Sequence, residues 1–131
     1  MILDVERNKA RKKLVVVGNG MAGARVVEEI LKRSPDQFDI VMFGAEPYGN
    51  YNRILLSNVL NGTEQETDIF INPLAWYPDN NIRLHAGVKA SHIDRKRRGL
   101  VGAPLKKDSL AYSTDAEPEG STVIEEPYDH V

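Results

Sequence analysis

The stretch of this 131-residue chain with the most direct chemical reading is Gly18-Asn19-Gly20-Met21-Ala22-Gly23, directly behind the apolar run Leu14-Val15-Val16-Val17. This is a G-x-G-x-x-G loop between a short β-branched strand and a helical pattern, and each glycine has a mechanical job. Gly18 permits the tight turn out of the strand. Gly20 lets the backbone approach a pyrophosphate, and Gly23 lets the following helix pack closely on the sheet. An anion held there, against the N–H groups of Met21 and Ala22, meets the positive end of the helix dipole. The chemistry implied is dinucleotide binding.

The elements that must position the loop are legible on both sides. Ala24, Val26, Val27, Ile30 and Leu31 form an apolar stripe at helical spacing. Glu28 and Lys32, like Glu29 and Arg33, are placed for i, i+4 pairs on the wet face. Ser34-Pro35 ends the helix, since proline disfavours helical geometry in the residue before it. Asp39 to Gly44 is largely apolar, as a strand buried on both faces should be. Together these predict a βαβ opening half and an α/β, Rossmann-like fold. Such a unit delivers a carboxylate to the ribose hydroxyls about 20 residues beyond the glycines. That spacing lands on Gly44, and Glu46 is the nearest carboxylate and the candidate.

With Glu46-Pro47 and Tyr51-Asn52-Arg53-Ile54-Leu55-Leu56-Ser57 added to the glycine loop, the chain resembles the FAD-binding start of the pyridine-nucleotide-disulfide-type flavoprotein oxidoreductases. Within them it is most similar to the NAD(P)H-dependent nitrite reductase large-subunit branch, which carries a G-N-G-M-x-G loop and an E-P-x-x-x-Y-[DN]-R-x-x-L-S segment. The likeness continues through Asn81 to Val88 and Ile93-Asp94. It implies that Arg53 and Ser57 line the FAD site, and that the backbone at Val88 meets the adenine. An arginine fork suits a pyrophosphate, and a serine hydroxyl can donate to a phosphate or ribitol oxygen. Asn58 stands where ferredoxin-reductase-type relatives often keep a lysine. Gly44 stands where many flavoproteins keep the ribose-binding glutamate. Glu126 to Val131 resembles the strand that leads into a flavin-touching A-T-G turn in this family.

The rest of the chain narrows the possibilities. It contains no cysteine, so a redox C-x-x-C pair or a cysteine-held iron–sulfur centre within it is excluded. His85, His92 and His130 lack metal-ligand spacing, and they read as ordinary strand and loop histidines. A net charge of −2 offers no electrostatic case for nucleic acid or an anionic membrane. No run approaches the ~18 apolar residues of a membrane span. The first residues lack the apolar core of a secretory signal, which points to the cytoplasm. Arg95-Lys96-Arg97-Arg98 reads as a solvated turn, and Trp76 and Tyr77 as packing residues of a short helix. Beyond Lys89, the segments Ser91–Ile93, Gly99–Val101, Leu110–Tyr112 and Thr122–Ile124 suggest an antiparallel β-meander. The polar run 113–121 reads as a surface loop.

The expectation is therefore a charged extension (1–12) followed by a partial FAD-binding domain (13–131), incomplete at its C-terminus. FAD would be held by Gly18, Gly20, Met21, Ala22, Gly23, Glu46, Arg53, Ser57 and Val88, with NAD(P)H as donor and the remainder of a flavoprotein or a redox module as partner. No residue reads as a catalytic acid, base or nucleophile, and none as a metal ligand. A rubredoxin- or ferredoxin-reductase-type protein, an NAD-binding module and an inactive remnant are the alternatives.

Overall fold

Alternation of side chains along three parallel strands divides the interior into two cores. The structure, a computed structural model, describes residues 11–105 and 123–131. Strand β1 (Lys12–Val17) leads through the glycine loop into helix α1 (Met21–Arg33), and the chain returns as β2 (Phe38–Gly44). Strand β5 (Ile82–Ala86) joins the far side of β2, giving a parallel sheet in the order β1-β2-β5. Ile40, Met42 and Ile82 point to one face and pack with Val27 of α1 and with Tyr77. Val15, Val41 and Phe43 point to the other, where they meet Val88 and Leu100. Strand β2 is thus covered on both faces, as its apolar run predicts.

Helix α1 ends before Ser34-Pro35 as read from the sequence, with the Ser34 N–H donating to the Ile30 carbonyl at 2.8 Å. Two details differ. Val26 is not part of the buried stripe; it is 54 % exposed, because Ala24 and Val27 already occupy the positions facing the sheet. Glu28 does not pair with Lys32, since its Oε1 accepts from Asn72 Nδ2 at 3.1 Å and Arg25 lies 3.7 Å from its Oε2. The Glu29–Arg33 pair is present at 3.7 Å.

Between β2 and β5 the chain forms a small antiparallel pair, β3 (Asn50–Tyr51) with β4 (Phe70–Asn72), and two short helices, α2 (Leu56–Leu60) and α3 (Trp76–Asp79). Beyond β5 comes the antiparallel sheet β6 (Val88–Asp94), β7 (Gly99–Pro104) and β8 (Ile124–Pro127), the meander expected from the alternation. The basic run 95–98 is its first turn. Asp94 Oδ1 accepts the backbone N–H groups of Lys96 (3.1 Å) and Arg97 (3.0 Å), and Arg98 adopts φ 53°. Strand β8 begins at Ile124, later than the expected Thr122–Ile124 segment. The expected strand Leu110–Tyr112, the loop 113–121 and most of the extension lie outside the described residues.

After β8 the chain crosses back to the parallel sheet. Lys13 N–H donates to Asp129 Oδ2 at 2.6 Å, Asp129 N–H to the Lys13 carbonyl at 2.8 Å, and Val15 N–H to the His130 carbonyl at 2.9 Å. His130 bridges Leu14 in parallel, on the edge of β1 that faces away from β2. Strand β5 helps hold this return. Its Ile82 and Leu84 face the α1 side, so Arg83 and His85 face the meander. There the buried Glu126 carboxylate receives Lys13 Nζ at 2.8 Å, Arg83 Nη1 at 3.2 Å and His85 Nε2 at 2.9 Å.

Burial alone would raise the Glu126 carboxyl pKa. Hydrogen bonds from Lys13 and His85, with the charges of Arg83 and Lys13, outweigh it and hold the group below its ordinary 4.5. The folded state therefore binds this proton less readily than the unfolded one. Glu126 contributes stability above pH 4.5 and loses it as pH falls through its lowered folded value. Arg83 and Lys13 remain partly hydrated, so Glu126→Gln is expected to cost about 1–2 kcal/mol at neutral pH, less than a fully buried pair. In urea melts, the gap between wild type and variant should close in acid. A gap that stays constant down to the acid transition would show that the carboxylate charge does not stabilise the return strand.

Candidate functional site

The glycine loop sits at the C-terminal ends of β1 and β2, where ligands bind in open α/β sheets. Gly18 takes φ +101°, a conformation strained for other residues, and its N–H donates to the Phe43 carbonyl at 2.7 Å. At Gly23 a Cβ would lie 2.7 Å from the Gly18 carbonyl oxygen, so loop and helix touch backbone to backbone. Gly20 differs from both, because a Cβ there would meet nothing within 4 Å. The space in front of it is open. Gly20 is also the N-cap of α1, and no side chain caps the helix and no acidic residue stands in its first turn. The helix terminus therefore keeps its N–H groups and positive dipole for an external anion.

That space opens into a cleft of about 200 Å³ lined by Gly18, Asn19, Gly20, Gly44, Ala45, Glu46, Tyr48, Gly49, Tyr51 and Arg53. Glu46 and Arg53 thus meet at one site with the glycines. The Asn52 side chain accepts the Ile54 N–H at 3.1 Å, which starts the helical turn carrying Arg53. The Arg53 guanidinium pairs with Glu46 Oε1 and lies 5.0 Å from the Tyr51 ring centre. The Tyr51 hydroxyl donates to Glu46 Oε2 at 2.7 Å. Burial, then the Glu46 hydrogen bond and charge, raise the Tyr51 hydroxyl pKa, so it remains a donor. Glu46 is also fixed through its backbone, where its carbonyl accepts the N–H of Gly87 at 3.0 Å.

Other residues named from the sequence lie elsewhere or act otherwise. Met21 and Ala22 are exposed in the first turn of α1, outside the cleft lining. Ser57 is exposed on α2 and also lies outside the lining. The Val88 side chain is buried in the core beneath the meander, so only its backbone, next to Gly87, is near Glu46. Tyr48 and Gly49 had no spacing signal, while Asn19 and Tyr51 stood inside the two resemblance motifs without being given a role.

A profile of the family described as pyridine nucleotide-disulphide oxidoreductase matches residues 12–118, most of the chain and all of this site. The chain belongs to that family. Among similar curated proteins, the nitrite reductase [NAD(P)H] of Bacillus subtilis is 48 % identical over 91 residues, 70 % of this chain and 11 % of that protein. The assimilatory nitrate reductase electron transfer subunit of the same organism is 41 % identical over 111 residues, 82 % of this chain and 14 % of that protein. The crystal structure of NADH:rubredoxin oxidoreductase from Clostridium acetobutylicum superimposes with a TM-score of 0.61 at 27 % identity, covering 70 % of this chain and 24 % of that one. The chain therefore spans about a tenth to a quarter of these three proteins. FAD and NAD(P)H, the cofactors expected from the sequence, are those of this family and its structural neighbours. Among the described residues, no helix is long and apolar enough to cross a membrane.

Proposed function

We propose that this chain forms the FAD-binding segment of an NAD(P)H-dependent flavoprotein oxidoreductase of the nitrite reductase type. The observation that carries this reading is the convergence of the open space before Gly20, the uncapped start of α1, and the Glu46–Arg53 pair on one cleft. Identity to the two B. subtilis proteins supports the nitrite-assimilation branch. The cleft is smaller than the ~300–1,000 Å³ of most small-molecule sites, so it accounts for the middle of a dinucleotide rather than all of it.

In this reading the N–H groups at the start of α1 bind the pyrophosphate, and Gly20 lets it approach. The Arg53 fork turns from Glu46 to the phosphate oxygens, where it forms charge-assisted hydrogen bonds. Glu46 accepts from a ribose hydroxyl while Tyr51 holds its second oxygen. Ser57 and the backbone at Val88 contact the remainder of the cofactor. Bound FAD supplies hydride acceptance from NAD(P)H and onward electron transfer, and the protein's share is to bind and orient it. Residues 13–131 act as one partial cofactor domain, and a further redox module or the rest of a flavoprotein is the electron-transfer partner.

The test is an equilibrium titration of the purified chain with FAD, with NAD as competitor. Saturable FAD binding that NAD does not displace is expected. Arg53→Ala should weaken it about 10-fold or more, the scale of one charge-assisted contact. Displacement by NAD at equal concentration would favour the NAD-binding alternative, and no binding by the folded chain would overturn the reading.

A further inference from the structure

One hydroxyl bonded to the glycine loop comes from neither strand nor helix of the opening βαβ unit. Tyr77, on α3, is 1 % exposed, and its ring belongs to the core on the α1 side of the sheet. Its hydroxyl reaches past that core to the loop. It accepts the Asn50 N–H at 3.0 Å and donates to Asn19 Oδ1 at 2.7 Å. Because Asn50 supplies the hydrogen on one side, the hydroxyl's own hydrogen is directed at Asn19. That fixes the Asn19 amide with its Nδ2 outward, 3.4 Å from the Tyr48 carbonyl.

The space for this arrangement is also specified. A Cβ on Gly44 would stand 3.0 Å from Asn19 Cβ, so a glycine at the end of β2 is what lets Asn19 lie across the strand terminus. Asn19 is flanked by the two glycines of the cleft, and it does not cap α1. Its side chain is therefore free of the usual local duty of an asparagine before a helix.

The geometry points to Tyr77 as a positioning residue that, through Asn19, holds the Gly18–Gly20 backbone in the shape that accepts a dinucleotide pyrophosphate. The inference rests on the proposed cofactor reading for its ligand, but not for its loop geometry. Tyr77 is not itself among the residues lining the cleft; its hydroxyl stands behind Asn19, which is. It acts only through the asparagine and through the β3 backbone, tying loop and β3 at one oxygen atom.

The test uses the full chain in two measurements. Amide shifts and hydrogen exchange of Gly18, Asn19 and Gly20 are followed by NMR in the ligand-free protein, and FAD affinity is titrated in parallel. Tyr77→Phe should shift these amides, speed their exchange and weaken FAD binding about 10-fold, the scale of one buried hydrogen bond. In an Asn19→Ala background, Tyr77→Phe should weaken binding far less than in wild type, because the link to the loop is already gone and only the Asn50 contact remains. A general loss of stability would instead make the two losses multiply, and that result overturns the proposal. Unchanged loop amides in Tyr77→Phe overturn it too. Should Tyr77→Phe fail to fold, Asn19→Ala alone must reproduce the loop-amide changes, and unchanged amides there are equally fatal. A wild-type chain that binds no FAD counts against the proposed function, and the loop amides still decide the role of Tyr77.

Discussion

Gly20→Val is expected to weaken FAD binding about 100-fold or more, equivalent to about 2.8 kcal/mol, while leaving the fold unchanged. Both halves of this expectation follow from the same position. The backbone at residue 20 is extended, with φ −84° and ψ −173°, a region that valine readily adopts. A Cβ there touches nothing in the protein, so the isopropyl group costs the folded chain little. It projects instead into the space that the pyrophosphate needs, beside the uncapped N–H groups of α1. Thermal melts and an FAD titration of the same sample test both halves. Unchanged affinity in the folded variant would remove the pyrophosphate from this loop.

Gly49→Ala should do the reverse and damage the fold first. A Cβ at residue 49 would lie 1.9 Å from the Asn72 carbonyl oxygen and 3.1 Å from carbonyl carbons of Asn72 and Pro73. These are backbone atoms and cannot swing aside as a flexible side-chain end would. The β3–β4 pair must part, and with it the Asn50 N–H that donates to Tyr77. We expect a loss of about 3 kcal/mol, at the upper end for overpacking by one methyl group. The urea midpoint should fall with little change in the slope. A midpoint within experimental error of wild type would show that the β3–β4 contact is looser than its geometry implies.

The parts of the molecule that repeat or obey short spacing were legible in the sequence. The glycine loop, the stop at Ser34-Pro35 and the doubly buried β2 all rest on local patterns, and all stand where those patterns place them. Glu46 and Arg53 were legible as candidates because each lies in a short motif, and the fold brings both into one cleft. Their mutual pairing was not, because it depends on how β3 leaves the turn after β2. Tyr77 was read as packing, which its ring is. Its hydroxyl bond to Asn19 spans 58 residues and has no periodicity to reveal it. Glu126 escaped for the same reason, since its three partners come one each from β1 and from two alternate positions of β5. Val26 was misassigned because its spacing fits the helical stripe, while Ala24 and Val27 are the positions of α1 that face the sheet, with Ile30 and Leu31 packed partly buried beside them.

The bond between the Lys13 N–H and Asp129 spans 116 residues, and the contact of Val15 with His130 is nearly as distant in sequence. Among the described residues, the outer edge of β1 is paired only by the segment around residue 130, at the far end of the described chain. Until that segment docks, the edge offers a row of unpaired backbone groups beside the apolar Leu14-Val15-Val16-Val17, the kind of edge that recruits other chains. A closure over so many residues also raises contact order and slows folding. Folding intermediates in which the segment around residue 130 has not yet docked are therefore the ones most open to misassociation.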